Sequence, residues 1–242
     1  EKMIVTQGFI GGTSENFTTT LGREGSDYSA AIFAACLNAA SVTIWKDVDG
    51  VLNADPKLFP HTEKFERLPY AEALEMTYYG ATVIHPKTIK PLQNKLIPLF
   101  VKPFLDHAGT GTHIGQFEKM TYSIPTIIVK KEQVLMSISS RDFSFISEQN
   151  LSTILGHFAK ANIKINTMQN SAMTWTCCFD YHEEKLNQII AVLKPDFKVY
   201  YNESLSLVTL RHYNQASIDE ITQNKEVLIE QRSRNTVQLV LR

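Results

Sequence analysis

The sequence predicts an α/β protein: a layered strand-and-helix region followed by two successive βαββ units. Three observations predict it. Strand-like and helix-like segments alternate between residues 41 and 102, which implies a mostly parallel sheet with helices packed on it. Short β-branched strands dominate from Ile127 onward. Within that second region a pattern of strand, helix and two strands recurs at an offset of about seventy residues, from Leu135 to Leu205.

The first residues read as a buried strand, with Met3, Ile4, Val5 and Thr6 followed by Phe9 and Ile10. No cap or turn precedes them, so the expectation is a chain that starts inside a domain. Next comes a glycine-bearing turn and a helix over 26–38, whose Ala30, Ala31, Phe33, Ala34 and Leu37 suit packing against a sheet. A strand over 41–46 leads into "KDVDGVLNADPKLFP", a loop by virtue of three aspartates, a glycine and two prolines. Such loops beyond strand ends are where α/β sheets carry ligand groups. A helix over 70–79 stops at Gly80, Pro86 leads another, and a strand follows over 97–102.

Beyond "GTGTHIG" at 109–115, strands are expected at 134–139, 163–169 and 173–180, with helices at 150–161 and 183–194. The weaker copy has a strand at 205–212, a short helix around 217–223, and strands at 226–233 and 236–242. Its helix is barely two turns long. The second unit therefore reads as abbreviated, either trimmed or completed by another chain, and exposed strand edges favour dimerisation.

The chain has 242 residues, 43% hydrophobic and 20% charged, with a formal net charge of -1. That balance offers no field for nucleic acid or an anionic membrane, so any anion site must be built locally and small substrates are expected. No apolar run approaches the roughly 18 residues that span a bilayer, and the first residues lack a signal peptide's basic and apolar regions. A cytoplasmic protein is the expectation. The three cysteines, Cys36, Cys177 and Cys178, lack metal-ligand spacing and read as reduced core residues. In a strand, Cys177 and Cys178 point to opposite faces.

Chemistry concentrates in "TTTLGREGSDYSAA", residues 18–31. Gly22 and Gly25 permit close backbone approach, helix-terminal amides near Ser26 and Asp27 can face an anion, and Arg23 adds a bidentate guanidinium. The turn is not a P-loop, since the lysine of that motif is absent. Ser26 and Asp27 are also expected to cap the helix.

"VTQGFIGGTSENFTTTLGREGSDYSAA" resembles the TQGFIG…TTTLGRGGSDYSA segment of aspartate kinases. "WKDVDGVLNADPK" is similar to their W-[TK]-D-V-x-G-V-x-x-x-D-P-[RK] nucleotide loop, and "LPYAEALEMTYYGATVIHPKTIKPL" to their SYxEAxELxYFGAKVIHPxT segment. The tail from Val134 resembles that family's paired ferredoxin-like ACT modules. The resemblance implies a partial amino acid kinase catalytic domain over 1–118 and tandem ACT modules over 127–242. It implies transfer of the ATP γ-phosphoryl group, with Mg²⁺, to the β-carboxylate of L-aspartate, the first step of lysine, threonine and methionine biosynthesis. Arg23, Ser26 and Gly25 then fall in the substrate site, and Asp27 becomes the catalytic residue that organises the reacting groups. The nucleotide contacts fall on Lys46, Asp47, Leu52, Lys57, Thr82 and Val83.

Two departures stand out. Leu52 lacks the aromatic ring common at its position, and Thr82 replaces a lysine and cannot supply a cation, a role open to Lys46. Asp47, Asp49 and Asp55 also suit ordinary turn chemistry, and His85 before Pro86 reads as a helix-boundary residue with no catalytic part. The family's K-F-G-G-[TS]-S segment is absent from the sequence, so this chain alone is expected to be inactive, which an ADP-release assay reads out.

For the regulatory half, the resemblance implies an amino-acid effector, lysine or threonine, and a homodimer formed through the ACT modules. The effector contacts fall on Ser144, Ser147, Leu151, Ile165, Asn166, Asn170 and Ser171. Asn166 replaces a frequent aspartate and contributes no charge to a lysine ammonium. Helix capping or turn filling is the plain alternative for this set. Two other readings stay open: another amino acid kinase, such as a glutamate or uridylate kinase, and a non-catalytic amino-acid sensor.

Overall fold

Small residues at Ala30, Ala31, Ala34 and Ala35 give the first helix a low-relief face, and it begins where Glu24 turns the backbone left-handed (φ 56°). Around it the computed structural model describes residues 2–82, 84–117, 124–142 and 144–242. Two compact units result, Glu1–Ile124 and Pro125–Arg242.

In the first unit β1 (Ile10–Gly12) and β2 (Thr18–Thr20) form an antiparallel hairpin that leads into α1 (Gly25–Leu37). There follow β3 (Val42–Lys46), β4 (Arg67–Pro69), α2 (Tyr70–Tyr79), α3 (Pro86–Asn94), β5 (Leu99–Pro103) and β6 (Thr112–Gly115). The helix boundaries obey local chemistry. Asn38 ends α1 and Gly80 ends α2, both left-handed. Pro86 opens α3 while His85 Nδ1 accepts from Lys87 N at 3.1 Å, the boundary role expected of it.

The four-stranded sheet has the order β3-β5-β6-β4. Its two outer pairs are parallel, as expected, while the central pair β5–β6 runs antiparallel with Leu99 opposite Ile114, so the sheet is mixed. The turn at Asp106–Gly111 returns the chain directly beside β5, and no crossover helix intervenes to make that pair parallel. Val42, Ile44, Leu99, Val101 and Ile114 face the buried side, whereas Thr43 and Trp45 are exposed.

The strand expected at residues 3–6 does not form; Met3, Ile4 and Val5 are about nine-tenths exposed. Among the described residues no strand offers them a ladder, and apolar pattern alone does not hold a strand. Cys36 is also exposed, on the outer side of α1, and is not a core residue.

The second unit contains β7 (Thr126–Ser140), α4 (Glu148–Lys160), β8 (Ile165–Asn170), β9 (Thr174–Asp180), α5 (Glu183–Leu193) and β10 (Phe197–Arg211). It closes with α6 (Gln215–Thr222), β11 (Val227–Arg232) and β12 (Thr236–Leu241). Its strands form one antiparallel series, β11-β12-β10-β7-β9-β8. The two 15-residue strands are longer than their sequence suggests, because each serves two modules. Residues 197–202 of β10 pair with 140–135 of β7, and residues 207–211 pair with 130–126. Between these stretches the register shifts, with Glu132 (φ 52°) and Ser204 (φ 57°) left-handed at the bend.

In the second module the fourth strand is the first part of β7, residues 126–130, which pairs with β10 from within the chain. The polar stretches "KKEQ" and "NES" look like strand breaks in sequence and are bends in the structure.

The sheet also folds on itself. Thr167 Oγ1 of β8 donates to Gln231 Oε1 of β11 at 2.6 Å, although these are opposite edges of the series. In a flat six-stranded sheet they would lie roughly 24 Å apart, at ~4.8 Å per strand. Leu135 and Cys178 from one half pack with Leu205, Leu207 and Val240 from the other, filling the fold. On the outer face of the first half, α4 and α5 cover a core of Met136, Ile138, Trp175, Cys177 and Phe179. Cys177 and Cys178 thus lie on opposite faces, both buried, as strand geometry requires.

Candidate functional site

Of the residues singled out in 22–27 and 46–57, Asp27 and Lys46 meet at the C-terminal end of β3. Lys46, the last residue of that strand, donates from Nζ to Asp27 Oδ2 at 2.7 Å. Both side chains are mostly buried, 24% and 12% exposed. Asp27 lies in the first turn of α1, where the helix dipole favours a carboxylate. Neither Ser26 nor Asp27 caps the helix: Gly25 is already helical, Glu24 is the cap position, and no side chain bonds there. The aspartate is directed to the lysine instead.

The turn itself is held by backbone geometry. Gly22 is left-handed (φ 79°), and Gly25 N donates to Gly22 O at 3.0 Å. A Cβ on Gly25 would sit 2.8 Å from Phe9 Cδ2 and 2.9 Å from Leu21 Cβ, so that position excludes a side chain. Arg23 is three-quarters exposed, its Nε 3.9 Å from Glu24 Oε1, and Ser26 is also exposed. Both are open to a ligand in solution. Glu24 stands where the resembling motif has glycine. It adopts φ 56°, and its Oε2 is buried without a hydrogen-bond partner.

The loop after β3 is pinned from below. Thr112 Oγ1 accepts from Val51 N at 2.8 Å and donates to Phe65 O at 2.6 Å. Gly50 (φ 145°) lies directly against that hydroxyl, where a Cβ would stand only 2.5 Å away, so glycine is obligatory. Asn53 Oδ1 accepts from Glu63 N, and Leu52 bridges to Lys64. Asp55 Oδ1 accepts from Lys57 N at 2.9 Å, the turn chemistry expected of it. Asp47, Lys57 and Thr82 have exposed side chains, and Leu52 is half-buried. Val83 lies outside the described residues.

Sequence reading missed Ser29 and Thr112. Both are small hydroxyl residues within ordinary-looking helix and strand, and only their burial (7% and 0% exposed) marks them.

In the second unit the expected effector residues divide into two places. The Ser144–Ser147 loop and the β8–β9 turn meet, with Ile146 N donating to Ala172 O at 3.0 Å. Ser147 caps α4 in a capping box with Asn150. Ser144 bonds Asp142, and Ser171 closes its own turn onto Thr174. Leu151 and Ile165 pack against the helix-covered core, and Asn170 is exposed beside Ser171. Asn166, at the other end of β8, belongs to a separate network. It accepts from Lys130 Nζ at 2.9 Å and donates to Gln133 Oε1 and Asp180 Oδ1 at 2.8 and 2.9 Å. Burial lowers the Lys130 ammonium below its ordinary range, against the opposing pull of Asp180.

Among the described residues, no group of three or more His, Cys, Asp or Glu side chains could hold a metal ion, and no helix is long and apolar enough to cross a membrane.

Residues 1–103 match the amino acid kinase family. The chain is 33% identical over 180 residues to the lysine-sensitive aspartokinase 3 of Escherichia coli K12, covering 74% of this chain and 40% of that protein. It is also 33% identical over 202 residues to a chloroplastic bifunctional aspartokinase/homoserine dehydrogenase 2 of Arabidopsis thaliana, covering 81% of this chain and 22% of the relative. The chain thus spans less than half the length of these relatives. Among solved structures, E. coli aspartokinase III in complex with aspartate and ADP superposes with a TM-score of 0.81 at 27% identity, covering 97% of this chain and 56% of that one. The same enzyme in complex with lysine and aspartate gives 0.74 at 27% identity, covering 97% and 55%.

Proposed function

We propose, from the premise that this chain is a homologue of the aspartokinases, that its first unit carries the acceptor side of phosphoryl transfer from ATP to the β-carboxylate of L-aspartate. The observation that carries the reading is the Asp27–Lys46 pair, which fastens the acceptor turn to the nucleotide loop. Arg23, exposed on that turn, is the clamp for a substrate carboxylate. Asp27 fixes the Lys46 ammonium at the mouth of β3, where a cation screens charge on a phosphoryl group in flight.

ATP supplies the phosphoryl group. Asp47, Leu52 and Lys57 are the side chains available to the nucleotide, since their loop is held by Thr112 and Gly50 without using them. Mg²⁺ would accompany the ATP phosphates, in keeping with its habit of retaining few protein ligands. Thr82 brings no charge, and Lys46 supplies a cation at this end of the sheet.

The second unit is the regulatory half, with the Ser144–Ser147 loop and the Ser171 turn as the place for an amino-acid effector, lysine or threonine. Pairing with a second copy through this unit, and a cytoplasmic location, complete the reading. Calorimetric titration tests it. L-Aspartate binding that is lost in Arg23→Ala while ATP binding persists supports the acceptor site. Equal aspartate affinity in the wild type and Arg23→Ala overturns it.

A further inference from the structure

We propose that Ser29 is a positioning residue for the acceptor site, tying the backbone of Phe9 to the first turn of α1. The inference rests on the aspartate-site reading above and adds to it the residue that sets the site's width.

Ser29 lies in the interior of α1 and is 7% exposed. Its hydroxyl makes two hydrogen bonds of opposite sense. Oγ donates to Gly25 O at 2.9 Å, one helical turn back, and accepts from Phe9 N at 2.9 Å. Phe9 O in turn accepts from Leu21 N at 2.8 Å. Both polar backbone groups of Phe9 are thereby fastened, one to the helix and one to Leu21, the residue that follows β2.

Phe9 needs that fastening. Its φ is 72°, a left-handed conformation that a bulky residue holds only when its surroundings impose it. The segment also lies tight against the helix. A Cβ on Gly8 would be 3.2 Å from Ser26 Cα, and one on Gly25 would be 2.8 Å from Phe9 Cδ2. The ring of Phe9 therefore sits over Gly25, between Arg23 and Ser26 in sequence, and forms a wall of the acceptor turn. Ser29 sets how far that wall stands from the helix.

A role in helix stability alone makes the opposite prediction, because a mid-helix serine bonded back to its own turn is a poorer helix former than alanine. Ser29→Ala would then be neutral or stabilising and would leave ligand binding untouched.

The test uses the 242-residue chain with L-aspartate as titrant, and amide hydrogen exchange at Phe9. Ser29→Ala is expected to weaken L-aspartate by about five- to tenfold, the scale of one lost hydrogen bond. Exchange at Phe9 should quicken while α2 amides stay unchanged. Ser29→Thr, which keeps a hydroxyl with donor and acceptor, should restore both readouts. Unchanged aspartate affinity in Ser29→Ala, alongside lost affinity in Arg23→Ala, overturns the role of Ser29 and leaves the site. Unchanged Phe9 exchange in Ser29→Ala overturns it independently of any ligand. A wild-type chain that takes up no L-aspartate overturns the site reading itself.

Discussion

The Lys46 ammonium donates to the Asp27 carboxylate at 2.7 Å, bonding the last residue of β3 to the first turn of α1. They stand 19 positions apart in the chain, and the packing of α1 against β3 closes the gap. Asp27→Asn and Lys46→Met should each destabilise the first unit, and the double variant should show a coupling of about 1 kcal/mol. Amide exchange of α1 and β3 in urea reads the coupling. Strict additivity would mean the pair has no energetic link.

Three glycines and one glutamate give a graded series. Gly50→Ala places a Cβ 2.5 Å from Thr112 Oγ1 at φ 145°, and Gly25→Ala places one 2.8 Å from Phe9, whereas Gly12 has open space. Losses of about 1–3 kcal/mol are expected at positions 50 and 25, and under about 0.5 kcal/mol at position 12. Glu24→Gly should stabilise by about 0.5–1 kcal/mol, since it relieves a left-handed non-glycine residue. Thermal melts of the four variants check the order.

One thiol of three should react in the native state. Burial pushes the Cys178 thiol up to about 12, with the nearby Asp180 charge adding to it and Lys130 opposing, and burial raises Cys177 as well. Cys36 is exposed. Alkylation at about pH 8, near the ordinary thiol value, should therefore label Cys36 alone, with all three labelled after denaturation. Fast native labelling at position 177 or 178 would contradict the packing.

Acid should loosen the network around Asp180. Burial works to raise this carboxyl, but the Gln133 hydrogen bond, the Lys130 charge, the Asn166 hydrogen bond and the Lys164 charge together bring it below the ordinary value. The folded form is the stronger acid. Its stabilisation is thus complete above about pH 4 and lost as pH falls through the folded value. The Asp180 side chain is 61% exposed, so screening holds the effect under about 1 kcal/mol. Asp180→Asn should melt below the wild type at about pH 7, with the gap closing under about pH 4.

Helix positions were legible because their signals are local. Gly80 after Tyr79, Pro86 after His85 and the periodicity of 183–194 depend on neighbours within a turn or two, and α2, α3 and α5 begin and end close to where those signals lie. The opposed burial of Cys177 and Cys178 follows likewise from strand geometry alone. Residue types marked Arg23 as a candidate anion ligand, and the family resemblance added Asp27 and Lys46 to the expected site.

Pairing between distant segments was not legible. Met3, Ile4 and Val5 carry a strand's pattern and remain exposed, because a strand needs a ladder as well as apolar side chains. The polar "KKEQ" reads as an interruption, yet β7 runs through it and lends residues 126–130 to the second module, because backbone hydrogen bonds ignore side-chain polarity at a bend. The resemblance puts Asn166 at an effector site, and only the structure shows its amide bonded to Lys130, Gln133 and Asp180. Composition and motif determined which groups this protein carries. Only the tertiary structure decided which of them touch, since the Asp27–Lys46 bond and the Phe9–Ser29 tie depend on long-range backbone placement that no local residue pattern encodes.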